Sequence, residues 1–552
     1  MSATAVAAPA VHSLWTTAAA APIHAPKIEY AQLSPILVVL GAAVAGILVE
    51  AFVPRRARYG TQLAVTLIGL AGAFAAVVGL AATGYATTKA DLAAMGSIAV
   101  DGPSLFLQGT LILVTAVGVL AIAERGLEPQ SREVPHVDAF APQAAAVPGS
   151  EDEKAAARAG WSTTEVFPLT LFALSGMLVF PAAGDLLTLF IGLEILSLPL
   201  YLMCALARRR RLLSQESAVK YFLLGAFASA FFLFGTALLY GYAGTLDLGG
   251  IAKVVTGDAA PNAALNASAH GDALLLIGGA MIVMGLLFKV GAVPFHAWTP
   301  DVYQGAPTPI TGFMAAATKV AAFGALLRLL YVALPEMRWD WRPVMWGVAI
   351  LTMALGAIVA VTQTDVKRML AYSSIAHAGF LLTGVIAGNK QGVSAVLFYL
   401  AAYSFVTLGA FAVVTLVRDA GGEATHLSRW DGLGRRSPLV AVTFALFLLA
   451  FAGIPLTSGF SGKFAVFSAA AKGGAVPLVV VGVLCSAVAA FFYVRVIVRM
   501  FFAEPRADGP SVAVPSALTG TAIAVGAAAT LVLGVFPQWA FDLADKASVF
   551  IR

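Results

Sequence analysis

Long apolar stretches separated by short polar segments run along nearly the whole chain. A helix needs about 20 apolar residues to cross the hydrocarbon core of a bilayer, and about fourteen stretches approach or exceed that length. The pattern therefore predicts an all-α polytopic membrane protein with about fourteen transmembrane helices, near residues 33–53, 60–82, 103–123, 165–182, 184–206, 212–242, 272–294, 307–334, 343–362, 366–387, 391–417, 437–470, 475–502 and 515–538.

Two of these stretches contain proline and glycine in mid-membrane positions. The sequence reads GAVPFHAW from Gly291 and AGIPLTSGFSGKF from Ala452. Such interruptions free backbone carbonyls, which is tolerated only against protein or a water-filled cavity. The two breaks fall in the seventh and twelfth helices, so copies five helices apart would have opposite orientation. This spacing predicts two inverted five-helix repeats, each with one broken helix near the membrane midplane.

Composition supports a membrane protein and excludes several kinds of chemistry. The chain is 60% hydrophobic and 11% charged, whereas a soluble domain carries roughly a quarter charged residues. The two cysteines, Cys204 and Cys485, lie in separate apolar stretches and give no zinc, iron–sulfur or disulfide pattern. GLGRRS from Gly432 lacks the third glycine and the strand of a nucleotide loop. We therefore expect no cofactor and no nucleic acid on this chain, and the lipid bilayer around it.

Basic residues predict the orientation in the membrane, because they accumulate in cytoplasmic loops. The odd-numbered loops hold most of them, so we expect these loops in the cytoplasm and both termini on the outer side. The basic residues of the odd loops are Arg55, Arg56, Arg58, Arg125, Arg132, Arg208, Arg209, Arg210, Arg211, Lys367, Arg368, Arg429, Arg435, Arg436 and Arg506.

Two polar regions stand outside the predicted helices. Residues 1–32 are rich in Ala and Pro without the pattern of a cleavable signal, so we expect a poorly ordered leader. Residues 124–162, which follow the three N-terminal helices of 33–123, contain PQSREVPHVD and GSEDEKAAARAG. We expect this cytoplasmic loop to be flexible and solvated.

Charged residues inside the membrane are the main functional signal. Each costs on the order of 2.5–3.5 kcal/mol on insertion scales, so such residues are usually functional. The alternative is that each reaches the membrane surface or forms a static ion pair. The basic residues outnumber the acids, which limits static pairing. The deep charged residues are Glu194, Lys220, Lys289, Lys319 and Lys463.

Glu194 lies near the centre of its predicted helix, with Pro199 in the following turns. Lys220 lies on the next helix, at a similar number of residues from the connecting loop. At 1.5 Å per residue the two side chains would have similar depth, which predicts a Glu194–Lys220 ion pair. Glu216 is four residues before Lys220, so an exposed Glu216–Lys220 pair is the alternative.

The remaining candidates resemble a row of proton acceptors. Lys289 precedes the first break and His296 follows it, while Lys463 follows the second break. Lys319 and His377 lie in other apolar segments. Histidine titrates near neutrality and can relay protons, although a lone buried histidine is often structural. None of these groups is arranged as a hydrolytic site.

Three segments carry a resemblance to a known family. KVGAVPFHAWTPDVYQGAPTPITGFMAAATKVAAFG (289–324), QTDVKRMLAYSSIAHAGF (363–380) and GIPLTSGFSGKF (453–464) resemble the antiporter-like membrane subunits of respiratory complex I, an NADH-quinone oxidoreductase. The resemblance spans roughly residues 33–540. VYQGAPTPIT, together with a lysine in GFSGKF where subunit M carries glutamate, favours the subunit N branch.

This resemblance implies a fold, roles and partners. It implies fourteen helices with repeats over 163–335 and 343–502 and a last helix within 515–552. It also implies a Glu194–Lys220 coupling pair and proton transfer from the central Lys289 through Lys319 to the terminal Lys463; His296 matches the histidine of the family's HAW segment. Expected partners are subunits M, J and K in a bacterial inner membrane, with FMN, iron–sulfur clusters and quinone held by other subunits.

The implied function is coupling of NADH-to-quinone electron transfer to proton pumping. In this hypothesis, opening the Glu194–Lys220 pair makes Lys289 release its proton, and closing the pair lets Lys289 reload from the cytoplasm. The nearest alternative is a subunit of a multi-subunit Na⁺/H⁺ antiporter or of a membrane-bound hydrogenase. Another alternative is a structural subunit that only supports a quinone-binding partner, which the deep lysines disfavour.

Overall fold

The structure is a computed structural model that describes most of the chain. The described residues are 27–127, 138–142, 146–147, 150–159, 161–259, 271–419, 422–506 and 508–551. Most of the predicted leader and part of the predicted 124–162 loop therefore lie outside the described residues.

Helices dominate the described chain. Twelve of them are long and apolar enough to cross a membrane within the described ranges, and every predicted apolar segment contains a helix. The α-helices are α1 Tyr30–Phe52, α2 Arg55–Ala82, α3 Gly102–Ile122, α4 Glu151–Arg158, α5 Val166–Val179, α6 Leu186–Cys204, α7 Arg211–Ala243, α8 Leu248–Thr256, α9 Gly271–Val290, α10 Trp298–Gly305, α11 Thr308–Arg328, α12 Arg338–Thr362, α13 Val366–Ile386, α14 Lys390–Leu416, α15 Leu433–Arg436, α16 Pro438–Ala452, α17 Ser458–Lys472, α18 Val476–Phe502, α19 Ala517–Val535 and α20 Gln538–Lys546.

The described chain also contains short strands, two 3-10 turns and one π-helical turn, which lie in the connections or continue the ends of helices. Strands β1 Asp91–Ala93 and β2 Ile98–Val100 form an antiparallel hairpin between α2 and α3. Strands β3 Val417–Asp419, β4 Gly422–Glu423 and β5 Ser511–Val512 form a sheet in the order β4-β3-β5. Turns of 3-10 helix span Phe180–Ala182 and Leu427–Trp430, and a π-helical turn spans Leu329–Ala333.

Both predicted breaks occur where the sequence places them. After α9 the chain turns at Gly291 (φ 78°), and α10 follows as a second half-helix. After α16 it turns in the same way at Gly453 (φ 83°), and α17 follows. A positive φ is disfavoured for residues with a Cβ, so glycine ends each first half.

A repeated pattern of backbone hydrogen bonds marks two equivalent units. Before α6, residues 184–186 exchange two hydrogen bonds with residues 246–248, both 3.0 Å long. Before α13, residues 364–366 exchange two with residues 425–427, both 2.7 Å long. One aspartate, Asp185 or Asp365, caps the following helix in each unit. The two units therefore contain corresponding helices in the same order. The pairs are α5 with α12, α6 with α13, α7 with α14, α9–α10 with α16–α17, and α11 with α18.

The corresponding helices cross the membrane in opposite directions, since they are five crossings apart. This arrangement is the inverted repeat predicted from the two breaks, and the described chain is an all-α polytopic membrane protein of the antiporter-like fold. We call the end of the bundle where α2, α7, α11 and α13 begin the basic face.

The core lies where the two units meet. Every residue of α11 is buried, and nearly every residue of α13 and α14 is buried. Helices α1, α7 and α18 expose apolar side chains such as Leu48, Phe227 and Phe491, as lipid-facing or partner-facing helices do. Helix α11 is therefore enclosed by other helices, and a charged residue on it has no direct contact with water.

The loop over 124–162 is more ordered than its composition suggests. Leu127, Asp138 and Phe140 are buried, and α4 lies within the loop. Phe140 pairs with Ala207 of the α6–α7 connection. The expectation of a solvated loop is wrong for these described residues, because apolar side chains among the charges anchor the loop to the bundle.

Candidate proton pathway

Glu194 lies in mid-membrane on α6, half-buried against α7. The hydroxyl of Ser229 on α7 donates a hydrogen bond to the Glu194 carboxylate. Glu194 is thus held by a neutral hydroxyl in the structure.

The predicted Glu194–Lys220 ion pair is not formed. Lys220 instead binds Glu216 Oε1 at 2.7 Å and Asp301 Oδ2 at 2.8 Å. The first contact is the exposed pair that the sequence left as the alternative. The second was not predicted, because Asp301 is distant in sequence and lies on α10.

The register of α6 and α7 explains this correction. Ser214 Oγ donates to the Cys204 carbonyl at 2.6 Å, so the residues of α7 before Ser214 extend beyond the end of α6. Lys220 is therefore only six residues past this contact, whereas Glu194 is ten residues before it. Ser229, whose hydroxyl contacts Glu194, lies nine residues past Lys220, or about 14 Å along the helix. The number of residues from the connecting loop overestimates the depth of Lys220.

Lys289 ends α9 just before the first break and is fully enclosed. Its Nζ donates to Ser197 Oγ at 2.7 Å and to the Tyr221 hydroxyl at 3.1 Å. Ser197 lies one turn from Glu194 on the same face of α6. Ser197 thus binds the Lys289 ammonium group on the face of α6 that also carries Glu194.

Lys319 occupies the middle of the buried helix α11. Its Nζ donates to the Ser374 carbonyl of α13 at 2.5 Å and lies 5.4 Å from the centre of the Tyr403 ring. A carbonyl and an aromatic face attract a cation but do not neutralise it. This site connects a helix of the first repeat to a helix of the second.

His377 lies one turn beyond Ser374 on α13. Its Nδ1 is 2.6 Å from the Tyr399 hydroxyl, and its Nε2 is 3.3 Å from the Tyr493 hydroxyl. Tyr493 is also hydrogen-bonded to Ser373. Both ring nitrogens therefore have hydroxyl partners, which can donate or accept protons.

Lys463 binds the end of the half-helix before its own. Its Nζ donates to the carbonyls of Phe451 and Ala452 at 2.9 and 3.0 Å, and to Ser486 Oγ at 2.9 Å. The last carbonyls of a helix have no partner within the helix. The second break thus creates the acceptors that hold this lysine.

Five of the seven predicted site residues form one interior row, and two do not. The members of this interior row are Glu194, Lys289, Lys319, His377 and Lys463. The Tyr403 ring lies next to both Lys319 and His377, at 5.4 Å from Lys319 Nζ and 5.0 Å from the His377 ring. The Phe380 ring lies next to both His377 and Lys463, at 5.6 Å from the His377 ring and 4.8 Å from Lys463 Nζ. Lys220 lies nearer the basic face, and His296 lies in the first break. His296 Nδ1 is buried and has no hydrogen-bond partner in the described chain.

The sequence did not identify the hydroxyl residues that bind the charged groups. Only Ser197 had a local signal in the sequence, since it lies one helical turn after Glu194. The hydroxyl partners that sequence reasoning missed are Ser197, Tyr221, Ser229, Tyr399, Ser486 and Tyr493.

The arrangement suits proton transfer. Within the described residues, none of Lys289, Lys319 and Lys463 forms an ion pair, and no group of three or more His, Cys, Asp or Glu could hold a metal ion. Buried lysines without a carboxylate partner exchange protons more readily than paired ones. Hydroxyls and one imidazole lie between the lysines.

Comparison with known proteins identifies similar sequences and folds. The family described as NADH:quinone oxidoreductase/Mrp antiporter, TM, matches residues 183–489. NADH-quinone oxidoreductase subunit N 3 of Streptomyces griseus subsp. griseus is 72% identical over 555 residues, covering 99% of this chain and 100% of that protein.

Two solved structures have the same fold. A chain of respiratory complex I from Thermus thermophilus with bound aureothin is 32% identical, with a TM-score of 0.70, covering 93% of this chain and 99% of that chain. A chain of the Mrp complex from Dietzia sp. DQ12-45-1b has a TM-score of 0.75 over 94% of this chain and 97% of that chain. It is 20% identical, so it shows the fold alone.

Proposed function

This chain belongs to the family of N subunits of NADH-quinone oxidoreductase, and we propose that its buried row of charged residues carries protons across the membrane. The complex couples electron transfer from NADH to quinone to proton translocation. The observation that carries the proposal is the enclosure of Lys289, Lys319 and Lys463 without ion-pair partners in the described chain. A scaffold would gain stability from leucine at these positions.

In this proposal Lys289 is the proton site that responds to coupling. Glu194 lies one turn before Ser197, on the helix whose hydroxyl binds the Lys289 ammonium group. A change in the charge or position of Glu194 would therefore make Lys289 release or reload its proton. Moving one proton against 100 mV requires about 2.3 kcal/mol, so a change at Glu194 must shift the proton equilibrium of Lys289 by at least that amount.

Protons released from Lys289 would continue through the second repeat. Lys319 receives them in the middle of the bundle, and His377 with its two tyrosine hydroxyls connects Lys319 to Lys463. His296 and Lys220 lie beside this row, and their direct participation remains a prediction. The division into functional units at 163–335 and 343–502 also remains a prediction.

Orientation and partners complete the proposal. The basic residues at the loops of the basic face favour a cytoplasmic position for that face, with both termini outside. Neighbouring subunits M, J and K would cover part of the exposed apolar helices, in a bacterial inner membrane. Flavin, iron–sulfur clusters and quinone would be bound by other subunits, so this chain would move protons and no electrons.

Proton pumping by the whole complex tests the proposal. The complex is reconstituted into vesicles, and the number of protons moved per electron pair is measured for Lys289→Ala and Glu194→Gln. Both should move fewer protons. Lys253→Ala, which alters an exposed lysine on α8, is the matched control. Unchanged pumping in Lys289→Ala and Glu194→Gln would show that protons take another path.

A further inference from the structure

The short helix α10 carries an acid that links the two repeats. Asp301 Oδ2 accepts from Lys220 Nζ at 2.8 Å, and Asp301 Oδ1 accepts from Arg368 Nη1 at 2.7 Å. Lys220 lies on α7 of the first repeat, whereas Arg368 lies on α13 of the second. One carboxylate thus bridges cations from both halves of the molecule.

Two further hydrogen bonds hold α10 in the same place. Ser217 Oγ on α7 donates to the Asp301 carbonyl at 2.8 Å, and Lys367 Nζ on α13 donates to the Ala306 carbonyl at 2.7 Å. In both of these hydrogen bonds the acceptor is a backbone oxygen of the α10 segment. The neutral side chain of Gln304 adds contacts to α13, accepting from Arg368 Nη1 at 3.1 Å and donating to Asp365 Oδ2 at 3.3 Å. Asp301 is the residue of α10 that brings a charge to the link.

The bridge is suited to exchange because it is partly exposed. The Asp301 side chain is 34% exposed and that of Lys220 is 42% exposed. Ion pairs with this exposure are weak and reorganise easily. Lys220 also has a second acid available, Glu216, so it can leave Asp301 without losing all of its partners.

The other end of α10 lies against the Lys289 site. The Trp298 ring stacks on Tyr221 with a centroid distance of 4.7 Å and an angle of 9°. Trp298 Nε1 donates to the Phe288 carbonyl at 2.9 Å, one residue before Lys289. Tyr221 in turn accepts the hydrogen bond from Lys289. A shift of α10 would therefore move the partners of Lys289.

We propose that Asp301 is a positioning residue for proton translocation, which ties the two repeats together through Lys220 and Arg368 and places Lys289 through Trp298 and Tyr221. This inference rests on the proposed function, because it assigns Asp301 a role in the use of Lys289. The contact with Asp301 thus explains the presence of Lys220 on α7, which the sequence analysis had attributed to a Glu194–Lys220 pair.

Asp301→Asn in the whole complex tests this role. The variant keeps the shape of the side chain and removes its charge. We expect fewer protons per electron pair, with the electron transfer rate and the amount of assembled complex preserved. Asp301→Glu should restore part of the pumping, because it restores the charge. Asp545→Asn is the matched control, since it removes the acid of another exposed ion pair, Lys390–Asp545, and leaves the Asp301 bridge intact.

The outcomes separate this inference from the proposed function. Pumping by Asp301→Asn at the unaltered level, with pumping by Lys289→Ala reduced, would overturn the inference alone. Unchanged pumping in both variants would overturn the proposed function as well. A deficit in Asp301→Asn that follows the loss of assembled complex and is not restored by Asp301→Glu would show a structural role and overturn the inference. A reduced pumping ratio in Trp298→Leu, with assembly preserved, would support it.

Discussion

At the scale of single residues, hydroxyl groups determine how the interior charges are held. Ser197 and Tyr221 bind Lys289, Ser229 binds Glu194, and Tyr399 and Tyr493 bind His377. A hydroxyl can satisfy a charged or a neutral partner, because it both donates and accepts. These partners therefore allow a change of protonation that a fixed carboxylate would oppose.

The two tyrosines around His377 give a direct prediction. Tyr399→Phe removes the partner of Nδ1 at 2.6 Å, and Tyr493→Phe removes the longer contact of Nε2 at 3.3 Å. Loss of one buried hydrogen bond costs about 1–3 kcal/mol, so we expect roughly a fivefold or greater slowing of the proton transfer step at His377 in Tyr399→Phe. Tyr493→Phe should have the smaller effect.

The measurement is proton pumping at saturating NADH, compared between the two variants. Tyr372→Phe is the control, since Tyr372 lies on α13 with His377 and is only partly buried. Equal pumping in Tyr399→Phe and the unaltered complex would contradict a role for the His377–Tyr399 contact.

Asp138 predicts a pH dependence outside the membrane-spanning helices. Burial raises the pKa of its carboxyl from 3.8 to about 6, although the Phe140 N–H group and the nearby Arg208 and Arg125 partly oppose this. The folded loop thus binds the proton more tightly than the unfolded chain does. Its packing should strengthen as the pH falls from about 6 to 4 and be weakest above pH 6, by about 3 kcal/mol at 1.4 kcal/mol per pKa unit.

Limited proteolysis of the assembled complex between pH 5 and 8 checks this dependence. Cleavage within the loop should accelerate as the pH rises through 6, after correction for the pH response of the protease. Asp138→Asn should remove the dependence, whereas Asp152→Asn on the exposed helix α4 should retain it. A loop that is cleaved at the same corrected rate at all pH values would exclude this role of Asp138.

At the scale of elements, the sequence predicts the helices and their breaks well. Apolar length locates the membrane helices, and proline with glycine locates the breaks at Gly291 and Gly453, because both signals are local. The Glu216 partner of Lys220 was given as the alternative, because it is local, whereas the Asp301 partner could not be predicted, because it depends on the return of α10 against α7. The hairpin of β1 and β2 was missed because three-residue strands leave no periodic pattern.

Gly453 gives a prediction about the second break. Its φ is 83°, and a Cβ at this position would lie 3.0 Å from Cδ and 3.3 Å from Nζ of Lys463. Alanine should therefore cost about 1–2 kcal/mol for the left-handed backbone, and it should also displace the lysine. We expect Gly453→Ala to lower both the thermal stability and the pumping ratio of the complex.

Gly347→Ala provides the comparison for this break. Gly347 lies within α12, and a Cβ there would have no neighbour within 4 Å. Because alanine favours a helix interior, this change should be neutral or slightly stabilising. Thermal unfolding and pumping measured side by side would contradict our account of Gly453 if the two alanine variants behaved alike.

At the scale of the whole molecule, the interior row crosses from the first repeat to the second at Lys319. The lysine belongs to α11 and its carbonyl acceptor belongs to α13. The Asp301 bridge makes a second connection between the repeats, nearer the basic face. A relative shift of the repeats would therefore affect the Lys289 site and the Lys289-to-Lys463 route together, which one repeat alone could not achieve.

A third connection joins the first repeat to the start of α3 and to the C-terminal end of the described chain. Arg328 at the end of α11 donates to Asp101 Oδ1 at 2.8 Å and to Ser104 Oγ at 2.7 Å, and both charged side chains are almost fully buried. The backbone N–H of Ile551 donates to Asp101 Oδ2 at 3.1 Å. The Phe550 ring lies 5.0 Å from the Arg328 guanidinium. The C-terminal segment is thus fastened over α3 and α11.

This buried ion pair predicts a large effect on stability. Removing one partner of such a pair costs about 3–5 kcal/mol, because the other charge is left buried without compensation. Arg328→Met should therefore lower the thermal unfolding temperature and the amount of assembled complex. Arg328→Met combined with Asp101→Asn should recover part of the loss, since Asn can still cap α3 and no charge remains buried.

Asp508→Asn, which alters an exposed partner of Arg429, is the control and should change neither the unfolding temperature nor the amount of assembled complex. A double variant no more stable than Arg328→Met would contradict an electrostatic origin of the loss and would favour lost packing against Phe550.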